Sequence, residues 1–335
     1  MTKKDAFFHL IDLFDRVGIR YALVGETEGY PDYIGSDVDV MMDEAGLAKF
    51  HRTIWALEEC GLRVVQRFQH EITAFYYILA FRTDDGGWDF IQPDICTDYY
   101  RHGIKLLDAA PMLGRRRKSA SSECPGGGFY VLDPVDEFAY YLFKKIGKRQ
   151  LSDSQFCHLR TVYSENPDDC RSRLSRFGNL LTPVWTALEL GDASALSSAL
   201  PDLKRGLLSS GLLARPALFR DALRKLRRII RPTGLVVSLP DGKTSGRASA
   251  LHETFAQAFR RQMDVPAPNS GAFFSVLKAK ISSSLVILDE PVCWALRPLI
   301  DIEFGSNEPD VESIVDYLFC RACRRYSPNR ELLLP

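Results

Sequence analysis

The segment Gly35-Ser36-Asp37-Val38-Asp39-Val40 holds the residues whose spacing points most directly to chemistry. In an extended strand, residues i and i+2 project to the same face, so Asp37 and Asp39 stand side by side. Two carboxylates a few Å apart repel each other unless a cation lies between them. Oxygen-only ligands of this kind suit Mg²⁺, which keeps several waters and binds substrate phosphates. Other chemistries find little support. His9, His51, His70, His102, His158 and His252 show no ligand spacing, and no Ser/His/Asp hydrolase elbow occurs. Cys320 and Cys323 have the spacing of a metal or redox pair but no second pair to complete it, which suits an ordinary helix end.

The elements that must position these aspartates can be read from periodicity. Phe7, Leu10, Ile11 and Phe14 recur at three- and four-residue intervals and predict a helix from Asp5 to Val17, stopped by Gly18. Tyr21 to Val24 reads as a short buried strand ending at Gly25, and a turn-rich stretch leads from there to the Asp37 strand. Farther on, Phe75 to Arg82 and Trp88 to Ile95 read as two strands joined by the turn Asp84-Asp85-Gly86-Gly87. In the second of these, Trp88, Phe90, Gln92 and Asp94 share one face and Asp89 lies on the other. Pro93 lacks the N–H needed by a ladder, which predicts an edge strand.

Helix, strand, glycine and then Gly-Ser-Asp-Val-Asp-Val resembles the nucleotidyltransferase fold of the DNA polymerase β type. The resemblance implies that Asp37 and Asp39 hold Mg²⁺, with two ions possible, on a nucleoside triphosphate. It also places Gly25 and Ser36 in the phosphate-side loop. A third carboxylate in that family completes the site or activates the acceptor hydroxyl. Asp94 takes this position by resemblance, and Asp89 is the alternative.

The middle of the chain reads as helical and basic. Asp133-Pro134-Val135-Asp136-Glu137 opens a helix with an N-cap, a first-turn proline and early acids. Lys144, Lys145, Lys148 and Arg149 gather at its end. There they complement the helix dipole or, as the resemblance suggests for Lys144 and Lys145, face the acidic pocket and touch phosphate. Further helices are predicted over 155–163, 168–177, 183–190, 193–200 and 216–230. The last carries Arg220, Arg224, Arg227 and Arg228 along one broad face, which reads as a solvated face or an interdomain contact. The basic run 114–118 and the glycines 126–128 read as loop.

Leu235 to Leu239, a Gly- and Ser-containing loop and the helix predicted from Ala250 have the strand-loop-helix order of a P-loop. Pro240-Asp241-Gly242 and Ser245-Gly246 resemble the loop of thymidylate-kinase-like proteins. The lysine and hydroxyl positions that such a loop needs hold Arg247 and Ala248, however. Leu285 to Glu290 has the form of a Walker-B strand. The two parts together are similar to proteins associated with bacterial surface-polysaccharide gene clusters.

The sequence therefore predicts an α/β (α+β) protein in three parts. These are a nucleotidyltransferase-like mixed sheet over 1–105, a basic helical region over 106–232 and a truncated P-loop-like α/β unit over 233–335. Basic and acidic residues number 43 each, and the net charge is zero. The zero hides a segregation: 11 basic against 18 acidic residues in the first part, 21 against 13 in the second and 11 against 12 in the third. Overall neutrality argues against bulk nucleic-acid binding but not against a nucleotide. The lack of an apolar leader or spanning run and the scattered cysteines point to a cytoplasmic location.

The expected function is Mg²⁺-dependent transfer of a nucleoside monophosphate from a nucleoside triphosphate to a hydroxyl or phosphate acceptor. Surface-polysaccharide synthesis would be its setting. Two alternatives stay open. Glu26 beside the phosphate loop and the Arg247-Ala248 pair allow a catalytically silent regulatory or assembly module with a protein partner or a second copy. A nucleotide or sugar kinase is the third reading.

Overall fold

In the computed structural model, residues 1–25, 27–35, 37–101, 104–119, 128–209, 215–239, 245–259, 261–265, 270–288, 292–304 and 311–327 are described. The first helix, α1 (Lys3–Arg16), starts with a capping box: Thr2 Oγ1 accepts from the Asp5 amide, and Asp5 accepts from the Thr2 amide at 2.8 Å. With α2 (Glu44–Thr53) it covers one face of a mixed sheet.

That sheet contains β1 (Tyr21–Leu23), β2 (Val38–Met42), β3 (Arg63–Gln69), β4 (Ala74–Arg82), β5 (Trp88–Ile91) and β6 (Pro93–Cys96). After the hairpin β7 (Tyr99–Arg101) and β8 (Ile104–Leu107) and a short α3 (Ala109–Gly114), two further strands extend it. These are β9 (Arg117–Lys118) and β10 (Tyr130–Val131). The order is β3-β4-β6-β2-β1-β10-β9, with β5 pairing the far end of β4. The sheet thus continues past residue 105.

Alternation along β2 decides which way the aspartate points. Val38, Val40 and Met42 are fully buried with the side chains of α1 and α2. Asp39 and Met41 turn to the other face, where Met41 joins Ala22, Val24 and Cys96 in the core shared with the helical region. Pro93 does not mark an edge. It opens β6, which lies between β2 and β4 in the interior of the sheet. The chain breaks its pairing at Gln92 as β5 gives way to β6, so the proline stands at a strand's first residue, where a missing N–H is tolerated.

The helical region comprises α4 (Pro134–Lys148), α5 (Asp153–Glu165), α6 (Pro167–Arg173), α7 (Thr182–Leu190), α8 (Ala193–Ser209) and α9 (Arg215–Ile230). Asp133 caps α4 by accepting from the Val135 amide at 3.1 Å. Phe138, Leu142 and Phe143 of α4 pack with Leu159, Leu188, Leu196 and Leu200. The helix predicted to end at Leu200 instead runs through Pro201 to Ser209. Leu196, Leu200, Leu203 and Leu207 keep one buried stripe across the proline, so packing outweighs the lost backbone bond.

The last part is a parallel sheet of β11 (Leu235–Ser238), β12 (Arg261–Val265), β13 (Ser284–Leu288) and β14 (Ile302–Glu303), in the order β12-β13-β11-β14. With it go α10 (Ser245–Thr254), α11 (Phe273–Ile281) and α12 (Val311–Tyr326). Val65, Ile78, Ala80 and Phe90 of the first sheet share a core with Leu251 and Phe255 from the second unit and with Ile314 and Leu318 of α12. The protein is therefore mixed α/β: a large mixed sheet, a helical middle and a small C-terminal α/β unit. No helix among the described residues is long and apolar enough to cross a membrane.

The basic run at 114–118 divides in the structure. Arg115 makes a two-pronged pair with the buried Asp136 (Nε and Nη2, each 2.9 Å), and Arg173 also binds Asp136. Arg117 and Lys118 lie in β9. Replacing Asp136 would leave two guanidiniums facing one another. We expect Asp136→Ala to lower unfolding free energy by about 2–3 kcal/mol, measured by urea denaturation. A change within error would show that these pairs add nothing to stability.

Candidate active site

The parallel pairing of β2 with β6 sets Asp39 directly beside Asp94 on the sheet face away from α1 and α2. Asp37, two residues before Asp39, completes a group of three. Oxygens from the three carboxylates lie within 4.8 Å of one another. Asp89 falls on the other face near Lys3, at 3.8 Å, and takes no part. Of the two candidates for the third carboxylate, the fold brings only Asp94 to the pair.

Backbone contacts fix this arrangement. The Val24 amide donates to Asp39 O (3.0 Å), the Val38 amide to Gln92 O (2.9 Å) and the Tyr30 hydroxyl to Asp37 O (3.1 Å). Gly25 follows β1 with a φ of +90°, and a Cβ there would stand 3.5 Å from Asp39 Oδ2. The left-handed φ would strain a side chain at this position, although its Cβ would meet the carboxylate only at ordinary contact distance. Ser36, the other loop candidate, and Glu26 lie outside the described residues.

Asp37 and Asp39 line a cleft of about 640 Å³. Across it stands α4, with Lys144, Lys145 and Lys148 all on the cleft wall. Lys144 Nζ donates to Asp39 Oδ2. The lysines at the end of α4 therefore face the acidic pocket, and dipole complementarity is not their only role. Lys145 packs its ammonium 4.4 Å from the Tyr141 ring centre and is largely buried. Asp94 borders a separate cavity of about 360 Å³ with His70, Tyr76 and Gln92. The three acids thus stand between two spaces, with Asp37 and Asp39 opening to the lysine-lined cleft and Asp94 to the other.

Electrostatics records the crowding. Burial, the Lys144 charge and the Asp37 charge act on Asp39 in that order, and its pKa rises because Lys144 offsets the other two only in part. Asp94 is pushed well above the usual carboxylate range by burial and then by the charges of Asp39 and Asp37. Burial lowers Lys144, but the neighbouring Asp39 more than reverses this and holds the ammonium charged. Three acidic oxygen donors with no sulfur or nitrogen ligand fit a hard divalent cation. The Lys144 ammonium already stands on one of those oxygens as an internal cation.

His70, which sequence spacing did not single out, sits with Nε2 3.5 Å from Asp94 Oδ1. Tyr76 is the cross-strand partner of Asp94, and its hydroxyl donates to Gln92 Oε1. The signal available for these residues is the β3–β4–β6 row, which needs the strand register and not only the strand assignments. Glu137 and His158, 3.5 Å apart, line the lysine cleft from the helices.

The P-loop-like candidates do not assemble a second site among the described residues. The loop 240–244 and the acids Asp289 and Glu290 lie outside them. Ala248, at the position of the P-loop hydroxyl, is packed into the apolar core with Leu251 and Phe255.

No protein-family model matches the chain, and no curated protein sequence does. Several solved structures show a partial likeness, two of which illustrate it. One is an antigenic nucleotidyltransferase-like protein from Paracoccidioides brasiliensis, at 15% identity and a TM-score of 0.34, covering 56% of this chain and 91% of that one. The other is the antibiotic-resistance factor ANT(2'')-Ia, at 11% identity and a TM-score of 0.34, covering 56% of this chain and 95% of that one. At such scores the likeness decides neither fold nor activity, and the carboxylate geometry has to stand by itself.

Without a metal, the three carboxylates repel each other in a partly buried setting. Asp94→Asn should raise the thermal midpoint in EDTA by a few degrees, roughly 1 kcal/mol. The same change should abolish stabilisation by Mg²⁺. Thermal unfolding with and without Mg²⁺ checks both; a variant still stabilised to the wild-type extent would remove Asp94 from the cation site.

Proposed function

We propose that this protein is a metal-dependent nucleotidyltransferase that moves a nucleoside monophosphate from a triphosphate to a hydroxyl or phosphate acceptor. The observation that carries this reading is the convergence of Asp37, Asp39 and Asp94 opposite three lysines of one helix. The carboxylates would hold Mg²⁺, which when bound supplies charge neutralisation at the reacting phosphate. The lysine-lined cleft, of about 640 Å³, is ample for a nucleoside triphosphate.

In this reading Lys145 and Lys148 bind the phosphate chain as point charges, and the Gly25 turn leaves room beside Asp39. Lys144 holds Asp39 in place before the nucleotide arrives. Asp94 borders the second cavity, which suits the acceptor. It is placed to be the third oxygen ligand or to accept the proton of an acceptor hydroxyl, with His70 3.5 Å from the carboxylate. The chemistry asked of the chain is positioning and electrostatic stabilisation of charge on oxygen. Polysaccharide synthesis is one setting that would supply a hydroxyl or phosphate acceptor of this kind.

One observation favours a second reading, a catalytically silent regulatory or assembly module. Lys144 neutralises Asp39 internally, so the carboxylate group has a partner without any metal. The apolar packing of Ala248 likewise speaks against kinase chemistry in the C-terminal unit.

The two readings part on metal-dependent nucleotide binding. Calorimetry of the wild type with a panel of nucleoside triphosphates should show binding that requires Mg²⁺. Asp37→Asn combined with Asp39→Asn should abolish it, a loss of at least about a hundredfold in affinity for removal of two charged ligands. A Mg²⁺-dependent component that persists in the double variant, or the absence of any such component in the wild type, rules out the transferase reading and leaves the silent module.

A further inference from the structure

The arginine-rich helix α9 has no part in the carboxylate site. It is amphipathic, but it is turned the opposite way from an ordinary surface helix. Phe219, Leu226, Ile229 and Ile230 are each at least half exposed, while Arg224 is buried. Arg224 is turned to the body of the protein and Arg228 is half-buried, while Arg227 and Arg231 stand at the rim, open to solvent. These arginines meet the edge strand β3 and the end of α12 across a cleft of about 490 Å³.

Arg224, Arg227, Arg228 and Arg231 line one wall, and Arg67 of β3 lines the other. No Asp or Glu among the described residues lines this cleft. Asp221, outside the lining, is paired with Arg224 at 2.6 Å and with Lys225 at 2.8 Å. Among the described residues, Arg67, Arg227 and Arg231 have no carboxylate partner. Arg67 is instead held by neutral groups. Its guanidinium lies 5.2 Å from the Phe75 ring centre and 5.0 Å from that of Tyr326. Its Nη2 is 3.0 Å from His51 Nε2. Burial and then the Arg67 charge push the His51 pKa down to about 3, so the imidazole stays neutral and accepts from the guanidinium. The cleft also lies on the other side of the sheet from the acids: Arg67 pairs in register with Tyr77, whereas Asp94 pairs with Tyr76.

Guanidiniums converging on a concave surface without acids repel one another unless an anion joins them. The planar, multi-donor guanidiniums of Arg67, Arg227 and Arg231, which have no carboxylate partner among the described residues, match the oxygens of a phosphate chain. We infer that this cleft binds a small ligand carrying several phosphate groups, by which the sheet edge, α9 and α12 are tied together. The phosphates can come from a free inorganic polyphosphate or from a nucleoside polyphosphate.

Calorimetry on the full chain in EDTA tests this apart from any metal-dependent binding in the carboxylate site. Inorganic tripolyphosphate and ATP serve as separate probes. Both should bind the wild type. Arg227→Glu with Arg231→Glu, at two exposed positions whose exchange leaves the core intact, should weaken tripolyphosphate by at least about tenfold. Arg67→Lys, which keeps the charge but loses the fork, should weaken it less. Lys145→Ala with Lys148→Ala, in the opposite cleft, should leave this binding in place. Equal affinities for the two probes would assign recognition to the phosphate chain alone, and clearly tighter ATP would add the nucleoside. No binding of tripolyphosphate, or binding lost in the lysine variant and kept in the arginine variant, overturns the inference. Loss of Mg²⁺-dependent nucleotide binding in the aspartate variant would leave it untouched.

Discussion

The mutual repulsion of Asp37, Asp39 and Asp94 is the constraint around which much of the first two parts is arranged. Carboxylates do not crowd together on a half-buried sheet face without compensation, because each raises the cost of ionising the next. The sheet imposes the crowding through β2–β6 register, which no side-chain rotation can undo. Compensation comes from a different part of the chain. α4 is capped at Asp133, packed by Phe138 and Leu142 and ends in lysines, so that Lys144 arrives at Asp39. Burial of the apolar side of α4 and charge pairing at its end thus act together in holding the helix on the sheet.

Asp94 remains only partly compensated. His70 approaches it, and Lys144 is committed to Asp39. Burial makes Asp94 costly to ionise, and the charges of Asp39 and Asp37 add to that cost. Asp94 borders the cavity with His70, Tyr76 and Gln92, whereas Asp37 and Asp39 border the lysine-lined cleft.

Much of this was legible in the residues. The Asp37–Asp39 pair, the helix that precedes it, the capped α4 and the mixed α/β class follow from spacing and capping, which are local properties. What resisted reading depends on long-range register. His70 and Asp94 are separated by 24 positions and meet only because β4 lies between β3 and β6. Pro93 pointed to an edge for a sound local reason, yet the chain places it at the first residue of an interior strand. The helix read over 193–200 runs on through Pro201, where the leucine stripe beyond it outweighs the backbone penalty. In each case a one-residue rule yielded to packing that only the assembled fold defines.

The neutral charge of the whole chain finally resolves into two opposite uses of basic residues. At α4, lysines meet acids, and the result is a cleft lined by both. At α9, arginines meet aromatic rings and a neutral imidazole, and no carboxylate lines the cleft among the described residues. Aromatic faces and a neutral histidine can orient a guanidinium without cancelling its charge. The Arg67 environment therefore preserves positive potential where an acidic neighbour would have removed it. The excess of basic residues in the middle of the chain is divided between two faces of one sheet, and only one of those faces answers to the aspartates.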